Sequence, residues 1–276
     1  MAGRNFRQLL EAQWDKNKFL CVGLDSELEK IPASVRTENA GETILAFNRR
    51  IVDATRDIAG SYKLNSAFYE AHGDGRFIAL RNTIQYIQKV APDVPVILDA
   101  KRADIDNTNA GYVESIFGYL NADAVTVHPY MGGESLQPFL DRADKGVFVL
   151  CRTSNEGSGE FQDLKIDGVE LYKVVARHVV EQWNANGNCG LVVGATYPAE
   201  LKAVREIAPG LPILIPGVGA QNGDLAKSVA AGKDARGRGM IVAVGRAIIF
   251  ASLGGDYAEA ARAKALEIDD AIKKAL

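Results

Sequence analysis

Apolar and polar positions along the chain follow a repeating order. Short runs rich in Val, Ile, Leu and Phe, namely FLCVGLD, SYKLN, VPVILDAK, DAVTVH, GVFVLCR, CGLVVG, LPILIPG and MIVAVG, alternate with segments whose apolar residues return at helical spacing. There are eight such runs. Between the first two, Ile44, Leu45, Asn48, Ile51, Val52, Thr55 and Ile58 make one mostly apolar stripe, and PAELKAVREIA and GVELYKVVARHVVEQW repeat that pattern later. Strands alternating with helices predict a parallel sheet. Eight units without a break in composition predict its closure, so the expected fold class is α/β, a single (β/α)8 TIM barrel forming one domain over residues 1–276. Phe6, Leu9, Leu10 and Trp14 predict a lead-in helix ahead of the first strand. The Gly- and Ser-containing stretch SNEGSGEFQD, within roughly Thr153 to Asp167, reads as a long mobile loop.

Composition narrows the function classes. Hydrophobic residues at 47% and charged residues at 24% are ordinary for a globular protein. A net charge of -3, with both signs dispersed, favours neither nucleic acid nor a membrane surface as partner, so any anion must be held locally. The N-terminal segment lacks the apolar core of a signal peptide, and a cytoplasmic protein is expected. Of the three cysteines, Cys21 and Cys151 sit inside apolar runs, where a thiol behaves as a small hydrophobe; a disulfide framework is not expected.

In a barrel of this kind the loops at the C-terminal strand ends enclose a common mouth, and here those ends are polar. They carry Asp25, Lys63, Asp99 with Lys101, His128, Arg152 to Ser154, Gly194, Pro216 to Gly219, and Gly245 with Arg246. Period-two geometry turns Asp99 and Lys101 to the same side, with Lys63 arriving from the neighbouring strand. Charges so placed require pairing: opposite charges about 4 Å apart attract by roughly 4 kcal/mol at an effective dielectric near 20. DAKRAD alone would pass for a solvated loop. Asp104 reads either as a helix N-cap or as a site residue, Asp106 and Asn107 also being available to cap, and Arg102 is expected to face solvent.

The seventh and eighth strands end in PGVGAQNGD and VGR, where barrels commonly hold phosphate. Glycine lets backbone N–H groups approach an anion, and Arg246 adds a planar charged fork. A Rossmann reading of GVGAQNG fails at its third glycine position, occupied by Asn222. The three histidines form no HxH or HExxH pair, so neither a metal nor another cofactor is expected, and His128 reads as a hydrogen-bonded wall residue. No Ser-His-Asp or Cys-His arrangement stands at these termini.

Asp99-Ala-Lys101-Arg-Ala-Asp104-Ile105, with Thr108 beyond it, resembles the DxKxxDI signature of the orotidine 5'-monophosphate decarboxylase family. Asp25, Lys63, Ser154, PGVGAQ and VGR match in order, and SYKLNSAFYEAHG is similar to the longer bacterial branch. The resemblance implies a catalytic tetrad of Lys63, Asp99, Lys101 and Asp104 in a homodimer, with Asp104 entering from the partner subunit. It further implies Asp25 and Thr108 near the ribose and Ile105 against the base, and it puts Ser154, or its neighbour Thr153, at the pyrimidine edge. Gln221, Gly245 and Arg246 would bind phosphate, with Pro216 opening a closing loop. The activity implied is conversion of orotidine 5'-phosphate to uridine 5'-phosphate with Lys101 as proton donor and no cofactor. Two alternatives stand beside it: a magnesium-dependent sugar-phosphate decarboxylase or aldolase of the same superfamily, and a catalytically silent nucleotide-binding barrel.

Overall fold

The computed structural model describes residues 3–71, 73–218 and 224–276. Ten strands are described: β1 Leu20–Gly23, β2 Ser61–Asn65, β3 Val96–Arg102, β4 Ala124–Val127, β5 Gly146–Arg152, β6 Lys165–Ile166, β7 Val169–Glu170, β8 Cys189–Val193, β9 Ile213–Ile215 and β10 Met240–Val244. Eight of them close in the order β1-β10-β9-β8-β5-β4-β3-β2, while β6 and β7 form a separate antiparallel hairpin. Every pair in the barrel is parallel, and the seam closes with Cys21 opposite both Ala243 and Ser61. All eight predicted strands are present, separated by helices.

The barrel strands are almost wholly buried, as expected of strands covered by helices outside and packed side chains within. Helix Ala40–Thr55 shows the periodic logic: Ile44, Phe47, Asn48, Ile51, Val52 and Thr55 are buried at helical spacing, and the Asn39 side chain caps its start by accepting the Glu42 N–H at 3.1 Å. Helix Phe6–Asp15 buries Phe6, Leu10, Gln13 and Trp14. Phe6 packs edge-on to Phe148 of β5 with centroids 5.5 Å apart, so the lead-in helix covers the N-terminal end of the barrel.

Two local expectations change. The stretch after β5 is a folded unit, with a 3-10 turn Glu156–Ser158, a short helix Gly159–Gln162 and the β6–β7 hairpin. Its anchor is Arg152: the buried guanidinium donates to Ser158 Oγ and to Asp163 Oδ2 at 3.1 Å, and lies 3.9 Å over the Tyr197 ring. A buried cation has to find such partners, and finding them folds the loop. Arg102, expected in solvent, is half-buried, ion-paired with Glu70 and stacked 5.2 Å from the Tyr112 ring. Its long stem and planar head cover an aromatic face.

Candidate active site

The C-terminal strand ends enclose a cavity of about 450 Å³, within the range that takes a small ligand. Asp25, Lys63, Asp99, Lys101 and Thr126 stand on one side of it. Lys63 Nζ lies 3.1 Å from Asp99 Oδ2 and 3.5 Å from Asp25 Oδ1, and Lys101 Nζ lies 2.7 Å from Asp99 Oδ1. Asp99 is therefore held between two ammonium groups. Burial by itself raises the Asp99 pKa, but the two lysines, with hydrogen bonds from Lys101 and Thr126, hold its carboxyl well below the usual carboxylate range. For Lys63 burial acts downward, and the Asp99 and Asp25 carboxylates outweigh it, holding the ammonium above the usual lysine range. Both are charged at neutral pH.

Backbone geometry aims these groups. The register of β3 against β4 slips between Leu98 and Arg102, and Lys101 has φ 47, a left-handed conformation uncommon for a residue with a Cβ. Lys63 is nearly buried with a side chain 7% exposed, whereas Lys101 is 50% exposed and reaches the open cavity. Asp25 is steadied by the Asn65 N–H at 3.3 Å. Behind it, Tyr69 donates to Leu24 O at 2.7 Å, and Asn48 donates to the Tyr69 hydroxyl at 3.0 Å.

The far wall is built differently. Leu150, Val192, Leu214 and Ala243 provide apolar surface, with Thr153, Ser154, Asn155 and Gln162 above β5. The Thr153 N–H donates to Gln162 Oε1 at 2.9 Å, which fixes this polar edge from within the folded segment. Ser154 depends on a glycine opposite: a Cβ on Gly194 would fall 2.6 Å from Ser154 Cβ. At the barrel seam a Cβ on Gly23 would approach Gly245 Cα to 2.9 Å, so the closure that brings Gly245 beside Asp25 requires glycine. Among the described residues, Pro216, Gly217, Val218 and Gly245 complete the lining, with the exposed Arg246 beside them.

Residues 18–263 match the family described as "Orotidine 5'-phosphate decarboxylase / HUMPS family". The chain belongs to this family. It is 44% identical over 272 residues to an orotidine 5'-phosphate decarboxylase of Cellvibrio japonicus, covering 98% of this chain and 99% of that one. A solved Leishmania donovani OMP decarboxylase superposes with a TM-score of 0.84 at 41% identity, covering 98% and 99% of the two chains. Leishmania donovani UMP synthase superposes at 0.88 and 41% identity; this chain spans 99% of itself but 56% of that longer chain.

Of the residues singled out by sequence, Asp25, Lys63, Asp99, Lys101, Ser154, Pro216, Gly245 and Arg246 line one cavity. Asp104, Ile105 and Thr108 do not line it within this chain. Helix Asp106–Val113 has Ile105 at its N-cap position with no side-chain cap there, so Asp104 is not the N-cap. Asp104 Oδ1 instead accepts the Ile105 N–H at 2.7 Å. His128 departs from expectation too: it gives its backbone N–H to Arg102 O at 3.0 Å and lies outside the lining. Gln221 and Gly219 fall outside the described residues. Among the described residues no helix is long and apolar enough to cross a membrane, and no His, Cys, Asp and Glu cluster has metal-holding geometry.

Sequence reasoning passed over Thr126, Asn155 and Gln162, all of which line the cavity. A signal existed for Thr126, the one hydroxyl within the apolar run DAVTVH. Gln162 carried none, because only the folding of its segment returns it to the mouth.

Proposed function

We propose that this chain decarboxylates orotidine 5'-phosphate to uridine 5'-phosphate, the step that completes UMP in de novo pyrimidine biosynthesis. The observation that carries the reading is the Lys63–Asp99–Lys101 alternation at the cavity wall, in a chain nearly coextensive with relatives of that activity. Breaking the C6–carboxylate bond leaves an electron pair in the ring plane, where the π system does not absorb it. Stabilisation must therefore be electrostatic, from charges already oriented. Lys101, half exposed at the cavity and paired to Asp99, stabilises the pair and gives its proton to C6 as carbon dioxide leaves. Water then reprotonates the lysine. Lys63, held above the usual lysine range, keeps Asp99 ionised, and Asp99 crowds the departing carboxylate.

Ser154 reads the pyrimidine edge, Asp25 the ribose, and Arg246 with Gln221 and the Gly245 backbone the phosphate. Binding energy from that remote group orients C6 against Lys101. Asp104, Ile105 and Thr108 serve the partner's site in a homodimer. Their exclusion from the cavity of their own chain supports this, as does the exposure of Ile105, an apolar side chain 54% open to solvent. The buried free thiols suit a cytoplasmic enzyme. The test is the ultraviolet spectrum of orotidine 5'-phosphate incubated with purified enzyme, with and without chelator. Conversion unaffected by chelator is expected; activity that chelator abolishes and magnesium restores would overturn the reading.

A further inference from the structure

We propose that Thr126 is a positioning residue that ties the backbone of Lys101 to the carboxylate of Asp99, an inference resting on the decarboxylase reading above. Thr126 is 1% exposed, at the C-terminal half of β4, with its hydroxyl at the cavity wall. That hydroxyl has two partners. It accepts the Lys101 N–H at 3.0 Å and donates to Asp99 Oδ1 at 2.8 Å. Because the Lys101 N–H can only donate and the ionised Asp99 carboxylate can only accept, the hydroxyl proton is directed at Asp99.

This matters because β3 is irregular here. Lys101 stands at φ 47, and the slip in register against β4 removes the ordinary ladder partner of its N–H. Thr126 supplies the missing acceptor and so holds a backbone conformation that a lysine otherwise avoids. The same atom occupies one lone pair of Asp99 Oδ1, beside the Lys101 ammonium at 2.7 Å. Asp99 thus receives Lys63 on Oδ2 and both Lys101 and Thr126 on Oδ1, which leaves its plane little freedom to rotate. One hydroxyl sets both the origin of the Lys101 side chain and the carboxylate its ammonium rests on.

The measurement compares wild type with Thr126→Val, which keeps the shape and removes the hydroxyl, and Thr126→Ser, which keeps the hydroxyl and removes a methyl. The expected result is a fall in kcat of roughly 10- to 100-fold for Thr126→Val. Affinity for uridine 5'-phosphate should stay within about twofold, and Thr126→Ser should recover kcat to within about threefold of wild type. A residue that only fills space predicts the reverse order, with Val tolerated and Ser impaired. Undiminished turnover in Thr126→Val, equal losses in Val and Ser, or product affinity falling in step with kcat would each overturn the proposal. Should Thr126→Val not fold, Thr126→Ser is set against Thr126→Cys, whose thiol is a weak donor; Ser must exceed Cys by about tenfold in kcat, and equality overturns it. Amide exchange at Lys101, measured without substrate, separates this inference from the decarboxylase reading. Wild type that releases no carbon dioxide sinks that reading, whereas exchange equally slow in wild type and Thr126→Val sinks the assignment of Thr126.

Discussion

The barrel buries an aspartate among cations at each of its two ends, and only one of the two has the makings of a site. Toward the N-terminal end, Asp123 accepts Arg4 Nε and Nη2, each at 2.8 Å, and the Val96 N–H at 2.9 Å, while Lys145 donates to Ala122 O at 3.0 Å. Those bonds close on the fold itself, and none of these residues lines the cavity at the mouth. At the C-terminal end, Asp99 and Lys63 are as strongly paired, but Lys101 faces open space. The two buried lysines also shift in opposite directions. Burial pushes Lys145 below the usual lysine range despite Asp123 and Asp144, whereas two carboxylates raise Lys63. Burial plus charge therefore does not mark function; a charge left facing a cavity after its pairing is complete does.

Removing Lys101 should break the comparison most visibly. Lys101→Ala is expected to lose at least about 10³-fold in kcat/KM while keeping its melting temperature, since the side chain is half exposed. Turnover within tenfold of wild type in a folded variant would assign the proton to another group. The N-terminal cluster should respond the opposite way. Asp123→Ala removes the carboxylate paired with Arg4 and bonded by the Val96 N–H, and the negative charge facing Lys145, and should cost about 3–5 kcal/mol in denaturant unfolding, with kcat retained at temperatures where the variant is folded. A kcat loss without a stability loss would refute the division between the two ends.

The comparison sharpens further if the N-terminal cluster is complete within one chain and the mouth is not. Lys101→Ala and Asp104→Ala homodimers should each be nearly inactive, while co-refolding an equal mixture should restore roughly a quarter of wild-type activity through hybrids with one intact site. Verified hybrids with no activity would place Asp104 within its own site. The smallest effect is in pH dependence. Lys145, lowered in the folded state, makes stability rise as pH climbs from its folded pKa toward the unfolded lysine value near about 10.4. Lys63, raised, contributes stability below about 10.4 that is lost as pH rises through its folded pKa. Melting curves of Lys145→Met and Lys63→Met against wild type should therefore diverge in opposite senses on the alkaline side. Parallel shifts would contradict the assigned directions.

Much of this was legible because strand burial and strand ends leave marks in composition. The run VPVILDAK shows both, an apolar stretch that must be covered on two faces and a charged terminus that is tolerable only at a barrel mouth. Lys63, Asp99 and Lys101 were placed together by period and strand order, and they meet within 3.1 Å. The segment after β5 misled because glycine and serine content reports what a stretch permits, whereas Arg152, needing partners for a buried guanidinium, decides what it does.

The sequence by itself determined the eight βα units, the barrel class and the identity of the charges at its mouth, because local periodicity and side-chain chemistry are properties of the chain alone. Tertiary structure decided the rest. The seam at Gly23 and Gly245, the slip of β3 that turns the Lys101 N–H onto Thr126, the return of Gln162 to the cavity and the separation of Asp104 from Asp99 depend on register and on contacts between residues far apart in sequence. A hydrophobic pattern with a period of two states which face a residue takes; which atom it meets there is set by how eight strands close on one another.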